Sequence, residues 1–482
     1  MRADGRYVLY WMIANRRLRY NFSLDRALEY CKKLGKPLVV LEALRVGYPW
    51  ASDRIHKFVL EGMGDNRRVC EERGIGYFAY VEPKKGEGRG LLQALGDDAC
   101  AVVTDDFPCF FLPKMVASAG KQLRAPLEAV DSNGLLPMRA TEQVFQRAFD
   151  FRRYLQKELA KHLEQFPVAD PLARFKRIAA PQMSKERLTK WPMASAEMLR
   201  GEASVMAALP IDHTVLPVGI HGGSEAARKR LAEFFGAGLE RYEMHRNEPE
   251  ADASSGFSPY LHFGHLSVHE VFTKLAEREN WTAERLQLNA TGSKEGWWDM
   301  SSAAESFLDE LITWREVGFN FAAHRGDYDQ FESLPDWAKN TLRKHSQDKR
   351  ERVYSRDEFE QARTHDALWN AAQNQLVREG RIHNYLRMLW GKKILEWTAK
   401  PEVAAEIMVH LNNKYAVDGR DPNSYTGIFW VLGRYDRPWA PERAVFGNIR
   451  YMSSENTARK FSVKRYIEKY GGAEAGQRRL AL

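Results

Sequence analysis

The chain has 482 residues, 44% apolar and 28% charged, the make-up of a folded protein of two or three domains. No apolar run approaches the roughly 18 residues that cross a bilayer, which excludes a membrane-spanning helix, and the first residues lead straight into a strand-like run, so no secretory leader is expected. Lys+Arg (72) outnumber Asp+Glu (64), and the net charge of +8 favours a polyanionic partner. In chain order, 7–13 (YVLYWMI), 37–44, 76–82 and 99–104 are short apolar runs of buried-strand type. Between them, 24–34 sets Leu24, Ala27, Leu28 and Cys31 on one helical face, and 51–73 forms a second helix that Gly74 stops. Helices over 91–95 and 112–123 and a fifth strand over 126–130 complete a doubly wound parallel sheet of Rossmann-like α/β type. No G-x-G-x-x-G follows the first strand, and the cluster Gly86–Gly88–Gly90 has the wrong spacing for dinucleotide binding and reads as an exposed turn.

A polar helix over 143–165 leaves this domain. Residues 166–222 carry Pro167, Pro171, Pro181, Pro192, Pro210 and Pro217 and read as an interdomain connection. From 223 the pattern is almost wholly helical: 224–236, 266–278, 303–323, 335–345, 357–363, 366–379, 382–399 and 402–415. The expected division is therefore 1–165, 166–222 and 223–482. The spacing of Cys31, Cys70, Cys100 and Cys109 fits no zinc motif, and with no other metal-ligand cluster in view no metal is expected; reduced core thiols in a cytoplasmic protein are.

Four constellations carry chemistry. Tyr242, Arg246, Ser254, Ser255 and Ser258 gather hydroxyls and a guanidinium before a helix, where backbone N–H groups can wrap a phosphate; the alternative is a capped helix start without a ligand. Glu310 and Trp314, four apart on a helix, can hydrogen-bond a flat ligand's edge and stack on its face, or can be the rim and core of an ordinary amphipathic helix. Trp390 and Trp397 lie seven apart, with Trp369 on a neighbouring helix; such indoles pass electrons by short hops or pack a core. The segment 410–439 is dense in charged and aromatic residues in a turn-rich context, and 434–482 holds 11 Lys+Arg against 5 Asp+Glu. There Arg459, Lys460, Lys464 and Arg465, interleaved with Phe461 and Tyr466, follow a phosphate backbone or form a solvated face.

At these residues the chain resembles a DNA photolyase of the cryptochrome/photolyase superfamily, specifically a class II cyclobutane pyrimidine dimer photolyase. The resemblance rests on 365–373 (HDALWNAAQ), 386–398 (LRMLWGKKILEWT), 415–425 (YAVDGRDPNSY) and 445–452 (VFGNIRYM), with the more widely shared 258–264 (SPYLHFG). It covers nearly the whole chain and implies an α/β antenna domain followed by an all-α FAD-binding domain. It also implies light-driven repair of cyclobutane pyrimidine dimers in UV-damaged DNA by a monomer, cytoplasmic and gathered on the nucleoid when damaged DNA is bound.

The resemblance assigns Tyr242, Arg246, Ser254, Ser255 and Ser258 to the flavin phosphates and ribityl chain, Arg387, Asp436 and Arg437 to the isoalloxazine surroundings, and Asn412 to flavin N5. Glu310 then bonds the dimer's carbonyl, Trp314, Met388 and Trp430 wall its pocket, and Trp390, Trp369 and Trp397 form the photoreduction chain, Trp390 innermost. It leaves open a second chromophore, a deazaflavin or a folate, or an empty antenna site. Departures from the class II pattern are Asn384 and Ser424 for glycine, Asn413 for aspartate, and a 433–436 loop one residue short. Three other readings compete: a cryptochrome-like blue-light receptor, against which stand the Glu310–Trp314 pair and the absence of a long signalling tail after the helical domain; a (6-4) photolyase, which needs active-site histidines that the resemblance does not supply; and a helical nucleotide-binding protein without photochemistry.

Overall fold

The computed structural model describes residues 1–176 and 178–472. The chain divides into two compact units, one of Met1–Ala140, Lys161–Ala232 and Phe257–Asn280, the other of Thr141–Ala160, Glu233–Gly256 and Trp281–Leu482. The first is built on five parallel strands, β1 (Tyr7–Met12), β2 (Leu38–Leu44), β3 (Gly76–Val81), β4 (Ala99–Asp105) and β5 (Leu127–Val130), in the order β3-β2-β1-β4-β5. Every residue of β1 and β4 is buried, because a parallel sheet is covered on both faces. The helices α1 (Phe22–Leu34), α2 (Asp53–Arg73), α3 (Leu91–Gly96) and α4 (Leu112–Gln122) connect the strands, as the apolar spacing predicts. Asn21 starts α1 by accepting from the N–H groups of Ser23 and Leu24, and Gly74, at φ 64°, ends α2 in the left-handed conformation that glycine adopts without strain.

The direction of strand succession reverses between β1 and β4, the place where sheets of this kind bind ligands. Here the place is filled by protein. Asp105, at the end of β4, accepts hydrogen bonds from the N–H groups of Ile13, Ala14 and Asn15 (2.8, 2.8 and 2.9 Å) and from the Tyr10 hydroxyl (2.8 Å). The backbone donors that would hold a phosphate after the first strand are thus taken by a carboxylate, which agrees with the missing glycine fingerprint. The 86–90 turn is exposed, and Glu82 accepts from the N–H groups of Gly86 (2.9 Å) and Gly88 (3.2 Å).

Residues 166–222, expected as a connection between domains, lie in the first unit. Their prolines limit them to short helices such as Lys185–Lys190, Ala196–Leu199 and Ala203–Met206. They are tied down by backbone bonds from Ala194 to Ala79 and from Asp212 to Ala51, both 2.9 Å, and by the Trp191 indole donating to the Glu87 carbonyl (3.1 Å). The polar helix expected over 143–165 is α5 (Ala148–Glu158), followed by a 3-10 turn, and α5 belongs to the second unit.

The regular elements described in the second unit are helices, with Ala367–Glu379, Asn384–Glu396 and Pro401–Tyr415 close to their expected bounds. The single helix expected over 303–323 is three segments: Ser302–Leu308, a π-helical turn Asp309–Trp314, and Arg315–His324. A helix not foreseen, Pro422–Val431, occupies part of the segment that reads as turn-rich. Asp421 caps it by accepting from the Asn423 N–H (2.8 Å), and Pro422 stands in the first turn, where a helix needs no donor. This helix lies close against Arg315–His324: a Cβ on Gly318 would fall 2.4 Å from Thr426 Oγ1 and 2.9 Å from the Pro422 carbonyl oxygen. The basic residues near the C-terminus sit on or beside two further helices, Ser454–Lys460 and Lys464–Tyr470, and the rest of the expected basic tail, 473–482, lies outside the described residues. Among the described residues no helix is long and apolar enough to cross a membrane, and no cluster of side chains could hold a metal ion.

Candidate functional site

Apart from Ser258, the site residues singled out in the sequence fall into four groups of side chains in the second unit. The first is built around Arg246, which follows the Leu239–His245 helix. Its Nη1 donates to the Tyr242 hydroxyl (3.3 Å) and to Glu310 Oε1 (3.0 Å). Tyr242 is itself set by edge-on packing against Phe234 and Phe307, at 5.8 and 5.7 Å between ring centroids. Glu310 lies in the π-helical turn, a local geometry that recurs at functional sites. Burial pushes its carboxyl above the ordinary carboxylate range; the Asp309 charge pushes the same way and Arg246 opposes. Asp309 faces the other side and is held by Arg152 of α5 in a buried two-pronged bond (2.8 and 3.2 Å), so the turn is fixed from behind. Trp314, half-buried, meets Tyr435 edge-on at 6.5 Å.

The loop bearing Ser254 and Ser255 is pinned at its middle, where Arg381 donates to both carboxylate oxygens of Asp252 (2.6 and 2.7 Å). Arg381 follows Gly380, the left-handed cap of the Ala367–Glu379 helix, so the loop is anchored at the joint between the two helices that carry Trp369 and Trp390. Ser258 is exposed and begins the Ser258–His262 helix of the first unit.

The second group surrounds Asn412. Its buried amide donates from Nδ2 to Ser424 Oγ (2.7 Å), so one departure from the class II pattern touches the residue assigned to flavin N5. Nearby in sequence, Asp418 Oδ2 stands 3.7 Å from Arg387 Nη2. The other oxygen, Asp418 Oδ1, is buried with no hydrogen-bond partner, as is His383 Nδ1. Sequence reasoning did not single out Asp418; its only signal was its place in the 418–423 run. Asn413 is fully buried, accepts from the Arg420 N–H (3.0 Å) and donates to the Tyr425 hydroxyl (3.1 Å), a double role that a carboxylate could not fill. Asn384 is exposed at the start of its helix.

The third group holds Asp436 and Arg437 together with Trp439 and Trp430. The Trp439 indole donates to Asp436 (3.2 and 3.3 Å), and the Arg437 guanidinium lies 4.9 Å from the Trp439 ring. Arg450 spans the two indoles, 5.0 Å from Trp439 and 5.8 Å from Trp430. The turn that directs Asp436 this way passes through Tyr435, which takes a left-handed φ of 67°. Met388 Cε lies 4.0 Å from where a Gly427 Cβ would be, one helical turn before Trp430. Lys392, fully buried, donates from Nζ to the Val431 carbonyl (2.5 Å) beside the same Trp430.

The fourth group is the tryptophans, all buried. Trp390 donates from its indole to Gln373 Oε1 (2.9 Å), and Trp369 donates to the Trp390 carbonyl (3.0 Å), so each costly N–H is satisfied. Trp369 meets Trp397 at 6.0 Å. Two residues to which the sequence reading gave no role in the tryptophan row extend it to the surface. Trp397 packs against His365 (4.9 Å) and Tyr354 (5.8 Å), and the Tyr354 hydroxyl lies 2.8 Å from His365 Nδ1. Both stand in irregular segments, so no helical spacing could have pointed to them.

No family model matches the chain. It is 35% identical to the deoxyribodipyrimidine photo-lyase of Methanothermobacter thermautotrophicus, over 97% of this chain and 95% of that protein. It is 33% identical to the protein of the same name from Arabidopsis thaliana, over 95% of this chain and 88% of that one. The value for Potorous tridactylus is 31%, over 97% and 81%. Among solved structures, a bacterial class III photolyase from Agrobacterium tumefaciens matches with a TM-score of 0.69 at 17% identity, covering 97% of this chain and 86% of that one. A cryptochrome from Synechocystis matches with 0.67 at 16%, covering 96% and 88%. The structural likenesses establish a common fold.

Proposed function

The chain belongs to the deoxyribodipyrimidine photo-lyase family of the photolyase/cryptochrome superfamily, and from that premise we propose that it repairs cyclobutane pyrimidine dimers in DNA, as a class II enzyme, with FAD and light. The observation that carries this reading is Glu310, a carboxyl of raised pKa held by Arg246 in a π-helical turn four residues before the half-buried Trp314. A cyclobutane dimer is neutral and offers no handle for acid–base hydrolysis, so the chemistry has to come from a cofactor. FAD, when bound, supplies an electron donor that light excites.

The residues present fit such a group: the orphaned acceptor on Asp418 and the orphaned ring nitrogen of His383 are buried polar atoms that a flavin's amide and hydroxyl groups can satisfy. Tyr242, Arg246, Ser254 and Ser255 would hold its phosphates and ribityl chain, and Arg387, Asp418 and Asn412 would hold the polar edge of its ring. Glu310 in its acid form donates to a pyrimidine carbonyl, where negative charge gathers as the two cyclobutane C–C bonds open; a preplaced donor lowers that barrier. Opening the dimer to two pyrimidines is an isomerisation, so the overall reaction consumes no oxidant or reductant. Trp314, Met388 and Trp430 wall a pocket for the extruded dimer, whose weakened stacking makes extrusion cheap. Arg459, Lys460, Lys464 and Arg465 supply sequence-independent affinity for the phosphate backbone.

The test is blue-light treatment of an oligonucleotide containing a single cyclobutane dimer, with reduced protein and a dark control. Restoration of the intact pyrimidines in light alone is expected. A flavin-loaded protein that leaves the dimer untouched would speak for a receptor role instead.

A further inference from the structure

We propose that Lys392 is a positioning residue for the lesion pocket: it clamps the carbonyl end of the Pro422–Val431 helix and supports the Trp430 indole there. The inference rests on the reading above that Trp430 walls the pocket. Lysine is almost never fully buried unless it is paired, and Lys392 is fully buried with no ion pair among the described residues. Its one side-chain hydrogen bond among those residues, from Nζ, goes to the Val431 carbonyl (2.5 Å). Val431 is the last residue of its helix, where carbonyls lack intrahelical partners and the helix dipole favours a cation. The same Nζ lies 5.4 Å from the Trp430 ring, a distance for cation–π attraction.

The neighbouring Lys393 shows the contrast. It bonds Glu396 (2.7 Å) and lies 5.3 Å from Trp397, an ordinary paired lysine. Lys392 has no such carboxylate within reach: the charged groups that act on it are Asp436, which favours the ammonium, and Arg450, which opposes it. Burial dominates and pushes the amine down to about 7. A methionine of similar length would fill the space without that penalty, so stability alone does not account for a lysine here. What it does secure is geometry. The Asn384–Glu396 helix carries Met388, and the Lys392 clamp fixes that helix to the one bearing Trp430, so two assigned walls of the pocket are held in register.

The experiment compares wild type, Lys392→Met, Lys392→Gln, Trp430→Leu and the double variant Lys392→Met/Trp430→Leu, each loaded with FAD. Thermal melting, flavin content and affinity for matched oligonucleotides with and without a single cyclobutane dimer are read. Lys392→Met is expected to melt at or above wild type, keep its flavin, and lose at least tenfold in affinity for the dimer-containing strand with the undamaged strand unaffected. In the Trp430→Leu background the lysine change should add nothing. Unchanged dimer affinity in Lys392→Met, or full additivity with Trp430→Leu, overturns the proposal. Failure of both the Met and Gln variants to fold overturns it too, since the lysine would then be a stability residue. A wild type with no preference for the dimer sinks the functional reading itself, an outcome distinct from an intact preference that Lys392→Met leaves alone.

Discussion

Two side-chain contacts bear on the proposed chemistry. Glu310 accepts from Arg246 at one oxygen, and in the proposed role the other, as an acid, donates to a substrate carbonyl. Because its pKa is raised, the donating form persists above the ordinary carboxylate range and is lost as pH rises through the shifted value. Glu310→Ala should keep flavin and slow repair severalfold or more. Glu310→Gln, which retains a donor at every pH, should keep more activity and flatten the alkaline decline; equal repair and an identical pH profile in all three proteins would remove the carboxyl from the chemistry. Ser424 holds the Asn412 amide through a single buried bond. Ser424→Ala leaves that amide donor without a partner, which costs about 1–3 kcal/mol. A lowered melting temperature is expected, together with an altered flavin absorption spectrum, because the unpinned amide is the one assigned to the flavin ring.

At the level of elements, the close approach of Arg315–His324 to Pro422–Val431 depends on Gly318. A methyl group there meets Thr426 Oγ1 and the Pro422 carbonyl, both too near to accept it. Gly318→Ala should therefore destabilise by about 1–3 kcal/mol, the usual cost of overpacking, and should weaken dimer binding, since the displaced helix carries Trp430. Thermal melting and oligonucleotide affinity should fall together; a change in melting alone would mean that the helix shifts without moving the pocket wall. The central strands were legible because a parallel sheet buries both faces and so writes largely apolar runs such as 99–104. The Pro422–Val431 helix was not, because Asp421 and Pro422 are turn residues in most contexts and start a helix only when followed by a packed apolar face. The π-helical turn at Glu310 has no spacing of its own in sequence. The placement of Asp418 beside Arg387 depends on how two chain segments meet, which local pattern does not encode.

Across the whole molecule, acid sensitivity follows from three buried imidazoles spread over both units. Burial pushes His56 and His383 down to about 4 and His265 down to about 3. His265 accepts the Gly223 N–H at Nδ1 (2.9 Å), so it is neutral in the fold. Each group's pKa is lower folded than unfolded, so its contribution to stability is whole above pH ~6.5 and disappears as pH falls through the folded value. Asp25 acts the other way. Its pKa is raised to about 6 by burial, so its contribution is whole below the unfolded value of 3.8 and is lost as pH rises through 6. Asp65, Asp106, Glu270 and Glu310, likewise pushed up by burial, act with Asp25, whereas Asp252, held low by Arg381, and Asp327, held low by Arg325, act with the histidines. With these carboxylates opposing one another, the histidines set the expected course: net loss of stability should begin below pH ~6.5 and steepen towards 4. Denaturant melts monitored by circular dichroism across pH 7.5 to 4 measure this directly. His265→Gln keeps an acceptor for the Gly223 N–H and cannot titrate, so it should move the acid transition to lower pH. If that variant and wild type unfold at the same pH, the acid limit is set by carboxylates elsewhere in the fold, and the buried histidines are spectators.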